Sequence, residues 1–295
     1  MQKSLRTFLP DLQLLLAALI WGFAFVAQRV GMQSMPPLMF NGVRFLLGGA
    51  ALWVASALIP ALQPASRESG AWRRVIPAGL LAGLILFGGA SLQQMGIVYT
   101  TAGKAGFITG LYVVLVPLVG LLWGQKTGVF TWLGAGLAAG GLYLLSVTET
   151  FTLAPGDGLV LLGALFWTAH VLLLGWLTQR VDPVRLSVVQ FFTCGVLSLA
   201  AGFLWETVSL AGLFTAALPL LYGGLLSVGV GYTLQTVAQS KAKPSHAAVL
   251  LSLEGAFAVL GGLLLLNETL SLRGWIGCAL MLAAMLISQW GTFRR

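Results

Sequence analysis

Residues 234–269 read LQTVAQSKAKPSHAAVLLSLEGAFAVLGGLLLLNET. A polar, basic knot from Gln239 to His246 interrupts two long apolar runs, and one carboxylate, Glu254, sits inside the second run. The pattern has occurred once before, at residues 92–127, as LQQMGIVYTTAGKAGFITGLYVVLVPLVGLLWGQKT. A constant shift of 142 residues pairs Leu92 with Leu234, Gln93 with Gln235, Lys104 with His246, Ala105 with Ala247, Tyr112 with Glu254 and Thr127 with Thr269. The chain therefore reads as duplicated.

Composition fixes the class. Of 295 residues, 58% are hydrophobic and 8% charged, with a mean hydropathy of +0.93. A soluble domain carries about 25% charged residues. Too few charges remain to cover a water-facing surface, so the chain is expected to be an integral membrane protein. A spanning helix needs about 20 apolar residues, and such runs follow one another almost end to end. They are long and lack the short alternation of a barrel, so helices are the expected element. The net charge of +8 is read as loop charge that orients a membrane protein, not as a nucleic-acid surface. Cys194 and Cys278 lie singly in apolar runs, too few and too far apart for a disulfide framework or a zinc site. Lys3 and Arg6 ahead of Leu12–Ala27 have the layout of a signal peptide. This segment has a partner in the second half, however, so its retention is expected.

Ten spans are expected, at 11–30, 36–59, 75–97, 104–123, 131–148, 158–178, 184–205, 211–235, 245–266 and 273–291. With the N-terminus in the cytoplasm, 12 of the 16 basic residues fall in cytoplasmic segments. Only Arg29, Lys104 and Arg273 fall outside, and Arg44 lies within a span. That bias follows the positive-inside rule and puts both termini inside. The first two spans of each half align at a shift of 146, pairing Trp21 with Trp167, Pro37 with Pro183, Phe45 with Phe191 and Gly49 with Gly195. The fifth spans align at a shift of 143, pairing Trp132 with Trp275. Five spans per copy is an odd number, so the second copy enters the membrane upside down. The expected fold is an all-α membrane protein of ten transmembrane helices, built as two five-helix inverted-topology repeats over 1–148 and 149–295. Such repeats are characteristic of secondary transporters, whose site lies at the repeat interface near the midplane.

Several short motifs carry a family resemblance over essentially the whole chain. They are Trp21–Gly22 in the first span, Arg44–Phe45 in the second, and the small-residue starts Ala102–Gly106 and Pro244–Ala248 of the fourth and ninth. Pro117, Asn267–Thr269 and the glycine-rich fifth and tenth spans add to them. Together they resemble the EamA-type family of the drug/metabolite transporter superfamily. The resemblance implies a multi-pass carrier of the bacterial inner membrane that exports or exchanges small metabolites, often amino acids. It also implies a central cavity lined by the first, third, fourth, sixth, eighth and ninth spans. Two departures stand out: Gly124–Lys126 replaces a glutamate the family often carries after the fourth span, and Glu254–Gly255 replaces a commoner proline-containing turn.

Glu254 is the sharpest candidate. It lies about nine residues into the ninth span, roughly 14 Å at helical rise, near the middle of a core about 30 Å thick. A charge at that depth costs several kcal/mol and usually faces a cavity or a partner. It can bind a substrate ammonium or carry a coupling proton. Arg44 can bond a neighbouring helix or clamp a carboxylate; its counterpart is Gln190. His170, one turn from Trp167, is either a proton relay or a bonded core residue. His246 and Lys104 are candidates for gating and equally for interfacial placement. Gln93 and Gln235 would waste hydrogen bonds in lipid, so both are expected to face the interior. Trp21, Trp167, Tyr99, Tyr112 and Tyr232 complete the expected lining, an aromatic cavity suited to apolar or cationic solutes. Small-xxx-small spacings at Gly79/Gly83, Gly120/Gly124 and Gly136/Gly140 predict close helix packing.

No GxxxxGK[ST], HExxH, GxSxG or CxxC motif occurs, so no cofactor, no metal and no enzymatic activity are expected. The expected partners are a small-molecule solute, with a proton as candidate coupling ion, and membrane lipids; monomer and homodimer are both compatible. A multidrug or lipid-type carrier of the same fold is the alternative. A membrane-embedded enzyme is the weaker one, because the polar residues are scattered singly.

Overall fold

The computed structural model describes residues 2–62, 71–99, 102–146, 155–207, 209–266 and 271–293; at 2–7, 61, 71, 102–104, 107, 145–146 and 289–293 only the backbone is described. Every regular element among them is helical. The first half comprises α1 (Gln2–Gly31), α2 (Pro37–Leu58), a 3₁₀ turn (Pro60–Leu62), α3 (Ala71–Tyr99), α4 (Ala102–Gly110), α5 (Tyr112–Leu122) and α6 (Val129–Ser146). The second comprises α7 (Pro155–Leu177), α8 (Pro183–Trp205), α9 (Leu210–Thr215), α10 (Ala217–Leu221), a π-helical segment (Tyr222–Tyr232), α11 (Thr233–Gln239), α12 (Pro244–Leu251), α13 (Glu254–Leu265) and α14 (Leu272–Phe293). Seven helical stretches are long and apolar enough to cross a membrane. Three shorter apolar helices, Ile108–Leu122, Val129–Leu144 and Leu272–Ser288, occupy the positions expected for the fourth, fifth and tenth spans. Large apolar side chains such as Leu122, Phe203, Leu218 and Leu264 project outward, a surface that water would not tolerate and lipid does.

Two expected spans are broken, not continuous. The fourth breaks at Leu111 between α4 and α5, and the ninth at Ser252–Leu253 between α12 and α13. Both breaks tighten to bonds reaching three residues back: Leu111 N to Ile108 O and Val114 N to Leu111 O, then Leu253 N to Leu250 O and Gly255 N to Ser252 O. Such 3₁₀ turns inside a helix commonly mark a functional hinge. Gly110 at the first break favours it, because glycine is a weak helix former. Ser252, whose Oγ donates to Val249 O at 2.8 Å, favours the second. The breaks fall at equivalent places, so Tyr112 and Glu254 each begin a second half-helix.

The eighth span departs in another way. Its central 11 residues, YGGLLSVGVGY, wind as a π-helix with bonds five residues apart, whereas its counterpart α3 is α-helical throughout. Glycines on this segment let neighbours come close. A Cβ on Gly224 would fall 2.6 Å from Leu47, and one on Gly231 2.7 Å from Trp21.

Helices pack in pairs whose register the glycines record. α2 lies antiparallel on α8 (Gly42 against Leu199, Gly195 against Leu46), and α6 antiparallel on α14 (Gly134 against Ala284, Gly141 against Gly277). α3 lies antiparallel on α7 (Gly88 against Phe166, Gly96 against Val160), and Gly83 meets Thr193 of α8. The two broken spans cross at their breaks, where Gly106 meets Gly255. The close packing expected at Gly79 and Gly83 is present, against Val189 and Thr193, but Gly136 and Gly140 face open space and Gly124 is a turn residue at φ +70°.

Candidate functional site

The crossing of the two broken spans positions one cavity, with an empty volume of about 490 Å³ including its open side. α1 contributes Trp21, Ala24, Phe25 and Gln28; α2 contributes Arg44, and α3 Gln93. Thr109 and Tyr112 come from the fourth span and Trp167 and Val171 from α7. Ser227, Tyr232 and Gln235 come from the eighth span, and Leu251 and Glu254 from the ninth. Of the residues expected from sequence, the fold thus brings together Glu254, Trp21, Trp167, Gln93, Gln235, Tyr112, Tyr232 and Arg44.

Glu254 is 5% exposed. Its Oε1 accepts from Tyr112 Oη at 3.0 Å, so the two residues 142 apart meet across the crossing. Tyr232 stands between the tryptophans, 4.5 Å from the Trp21 ring and stacked on Trp167 at 6.1 Å and 25°. Trp167 Nε1 donates to Gln93 Oε1 at 2.8 Å, and Thr109 Oγ1 donates to the same atom at 3.5 Å. Trp21 Nε1 donates elsewhere, to the backbone carbonyl of Ser227 in the π segment at 3.1 Å. Arg44 is held from behind: its Nε donates to Asn41 Oδ1 at 2.9 Å, Asn41 Nδ2 donates to Ala90 O, and the guanidinium lies 5.0 Å from the Phe45 ring. One wall therefore carries a carboxyl and another a guanidinium, with aromatic faces between. The chemistry on offer is charge and hydrogen-bond recognition, and the described residues contain no metal-binding cluster.

The remaining candidates lie elsewhere. His170 is buried behind the aromatic wall, edge-on to Trp167 and Tyr232, with Nε2 2.9 Å from Gln190 Oε1. Tyr99 is 62% exposed at the end of α3 and does not line the cavity, because it lies beyond the last turn that faces inward. His246 lies at the opposite end of the bundle from Gln28. Its Nε2 is 2.9 Å from Asp11 Oδ1 and its Nδ1 2.9 Å from Ser288 Oγ, all three residues buried. Nε2 thus faces a carboxyl oxygen and Nδ1 a hydroxyl. Gln239 Nε2, donating to Val171 O at 2.9 Å, and the Thr127–Ser245 hydroxyl pair at 3.2 Å join the same end. Those polar bonds lie at that end, whereas the cavity lining extends along α1 to Gln28. The Lys104 side chain lies outside the described residues.

Sequence reasoning missed Asp11, Gln28, Thr109, Ser227 and Ser288. Gln28 was findable, because it lies seven residues, two helical turns, from Trp21 and so on the same face. Asp11 was findable as a carboxylate at the start of an apolar run. Ser227 acts through its backbone carbonyl, which no sequence pattern reveals.

The description "EamA-like transporter family" matches residues 8–147 and again 154–289. An "uncharacterized transporter" of Archaeoglobus fulgidus is 35% identical over 288 residues, 97% of this chain and 87% of the relative. The Escherichia coli K12 "uncharacterized inner membrane transporter YedA" is 27% identical over 304 residues, 98% and 93% of the two chains. A solved crystal structure superposes with a TM-score of 0.73 at 20% identity, covering 97% of this chain and 98% of its own, and so shares the fold. With a multi-pass helical body, a polar cavity at its centre and relatives named as transporters along its whole length, the chain belongs to the EamA-like transporter family.

Proposed function

We propose that this membrane transporter is a secondary carrier that moves a small metabolite, an amino acid or related solute, by alternating access. Ten spans form two inverted five-helix repeats, over 1–148 and 149–295, with both termini in the cytoplasm of a bacterial inner membrane. Three observations support the repeat: the family match to each half, the equivalent breaks of the fourth and ninth spans, and the packing of three counterpart pairs on each other. The observation that carries the function is Glu254, a carboxyl buried in a cavity at the crossing of two hinged spans. Arg44 in the same cavity supplies a cation for a carboxylate, and the aromatic walls supply apolar contact.

In this reading the end held by Asp11, His246 and Ser288 is the closed one. Solute enters past Gln28 and meets Glu254 and Arg44. Bending at Leu111 and Ser252–Leu253 then parts the Asp11–His246–Ser288 layer and opens the cytoplasmic end. Reversal of this cycle gives export or exchange. Transport activity is tested in proteoliposomes loaded with amino acids, nucleosides, cationic dyes and lipid headgroups, with and without a pH gradient. Flux of an amino acid or related solute is expected. No flux of any member under either condition overturns the reading.

A further inference from the structure

Gln235 is 2% exposed, lines the cavity, and its Oε1 has no hydrogen-bond partner. A buried acceptor left unmet costs about 1–3 kcal/mol, so its vacancy asks for a reason. The counterpart 142 residues earlier, Gln93, has the same amide on the same cavity and is satisfied twice, by Trp167 Nε1 and Thr109 Oγ1. Both equivalent donors are missing for Gln235. Trp21, the counterpart of Trp167, turns its Nε1 to Ser227 O in the π segment. Leu251, the counterpart of Thr109, has no donor at all. Two independent departures thus free one acceptor atom in the cavity that also holds Glu254.

Depth along the bundle puts the two acceptors together. α1 and α13 run parallel, with Gly22 against Phe257 and Ala258 and Gly261 against Val26. Glu254 therefore lies about one turn below Trp21. Tyr232 packs on Trp21, and Gln235 is three residues, about one turn, further along its helix. A carboxyl, an unmet amide carbonyl and three aromatic rings thus surround the same depth of the cavity. Gln28, itself buried, whose Nε2 is bonded to Ala24 O and whose Oε1 is also unmet, lies some 14 Å away at helical rise.

We propose that Gln235 is a specificity-determining residue for a solute nitrogen that carries N–H donors, a primary ammonium, which donates to Glu254 and to Gln235 Oε1 together. The assignment rests on the cavity being the solute site. The aromatic rings alone would hold any cation, including a quaternary ammonium. The unmet carbonyl separates the two: a primary ammonium has three donors, whereas a fully methylated one has none and leaves Gln235 Oε1 buried and empty. Sites with a buried polar group reject ligands that cannot pair with it far more sharply than apolar pockets reject a change in size.

The test is a binding series on the purified full chain in detergent. L-amino acids and monoamines are each paired with their N,N-dimethyl and N,N,N-trimethyl counterparts and titrated against wild type and Gln235→Met. In wild type the primary form should bind about ten- to a hundredfold more tightly than the trimethyl form, with the dimethyl form, whose single N–H can reach only one of the two acceptors, in between. In Gln235→Met, an apolar side chain of similar length, the primary form should weaken and that ratio fall about tenfold, to what Glu254 alone sustains, with trimethyl binding unchanged. A ratio that persists undiminished in Gln235→Met means exclusion by size and overturns the proposal. Equal binding of primary and trimethyl forms by wild type overturns it while leaving the carrier reading intact. Absence of binding by every amine, with flux of another solute in proteoliposomes, also overturns it; absence of both overturns the carrier reading too. A monodisperse Gln235→Met protein with an unchanged melting temperature shows that the variant is folded.

Discussion

Gln93 and Gln235 are the same residue at the same position of two related stretches, 142 residues apart, and their surroundings differ. The Gln93 carbonyl is locked by an indole and a hydroxyl; the Gln235 carbonyl is unmet. The stretches differ likewise one helix further on, where Tyr112 offers a hydroxyl and Glu254 a carboxyl. Where it lines the cavity, the first stretch is hydrogen-bonded and donates inward, although Gln94 beside it is buried off the cavity with its amide unmet. The second presents acceptors with valence to spare. On the proposed carrier reading, the acceptor that this difference leaves unmet is one the solute meets.

The comparison is tested hardest at His246, which ties the second stretch to α1 and α14. His246→Ala leaves Asp11 buried without its partner, and breaking a buried pair from one side costs about 3–5 kcal/mol. The expected result is a large fall in melting temperature in detergent, partly recovered in the Asp11→Asn, His246→Ala double variant. A melting temperature unchanged by His246→Ala would show that this end of the bundle is not held as described. Glu254→Gln comes next. It keeps an acceptor for Tyr112 but removes the ionisable carboxyl that a cationic solute would pair with, and bonds to charged groups are worth about 1.5–3 kcal/mol. Affinity for a cationic solute should fall about ten- to a hundredfold, read by titration and by flux, with no loss of stability. Equal flux and equal pH dependence in wild type and Glu254→Gln would remove the carboxyl from the mechanism.

Gln93→Met and Gln235→Met form the most direct contrast, because the two changes are chemically identical. The first strands the buried Trp167 Nε1 and should cost about 1–3 kcal/mol of stability. The second removes an acceptor that has no partner to lose, so the empty protein should be as stable as wild type or slightly more so. Equal destabilisation by both would show that Gln235 is bonded in the same way as Gln93 and would erase the asymmetry.

Much of this site was legible in the sequence. Glu254 announces itself because a carboxylate in an apolar run must face something other than lipid. The constant shift made Tyr112 its counterpart, but the hydrogen bond between the two was visible only in the fold. The amides at Gln93 and Gln235 were legible for the same reason, as polar groups that lipid cannot satisfy. The helix breaks were not, since Leu111 and Ser252–Leu253 carry no proline or glycine pair and the turns arise from how the two spans cross. The π winding was hidden too: glycines such as Gly223 and Gly231 permit it, but the same residues are common in ordinary packed helices. Without the π segment, the Trp21 indole would have been assigned to Gln235, and the unmet Gln235 carbonyl would have gone unseen.

The smallest expected effect tests the bond that joins the two stretches. Tyr112→Phe removes one hydroxyl and leaves the ring that fills the crossing, so packing is retained and only the bond to Glu254 Oε1 is lost. A hydrogen bond of this kind is worth about 0.5–1.5 kcal/mol net. If the hydroxyl serves to hold the carboxyl in place for the solute, solute affinity should fall by up to about tenfold while the melting temperature barely moves. If the hydroxyl instead competes with the solute for the same oxygen, affinity should rise, because the carboxyl is released. The direction of the change, measured by titration of the same amine on wild type and variant, decides between a tyrosine that positions Glu254 and one that occupies its binding face. The first outcome fits the inward-donating wall on the Gln93 side; the second would place Tyr112 with the second stretch as part of the switch between empty and loaded states.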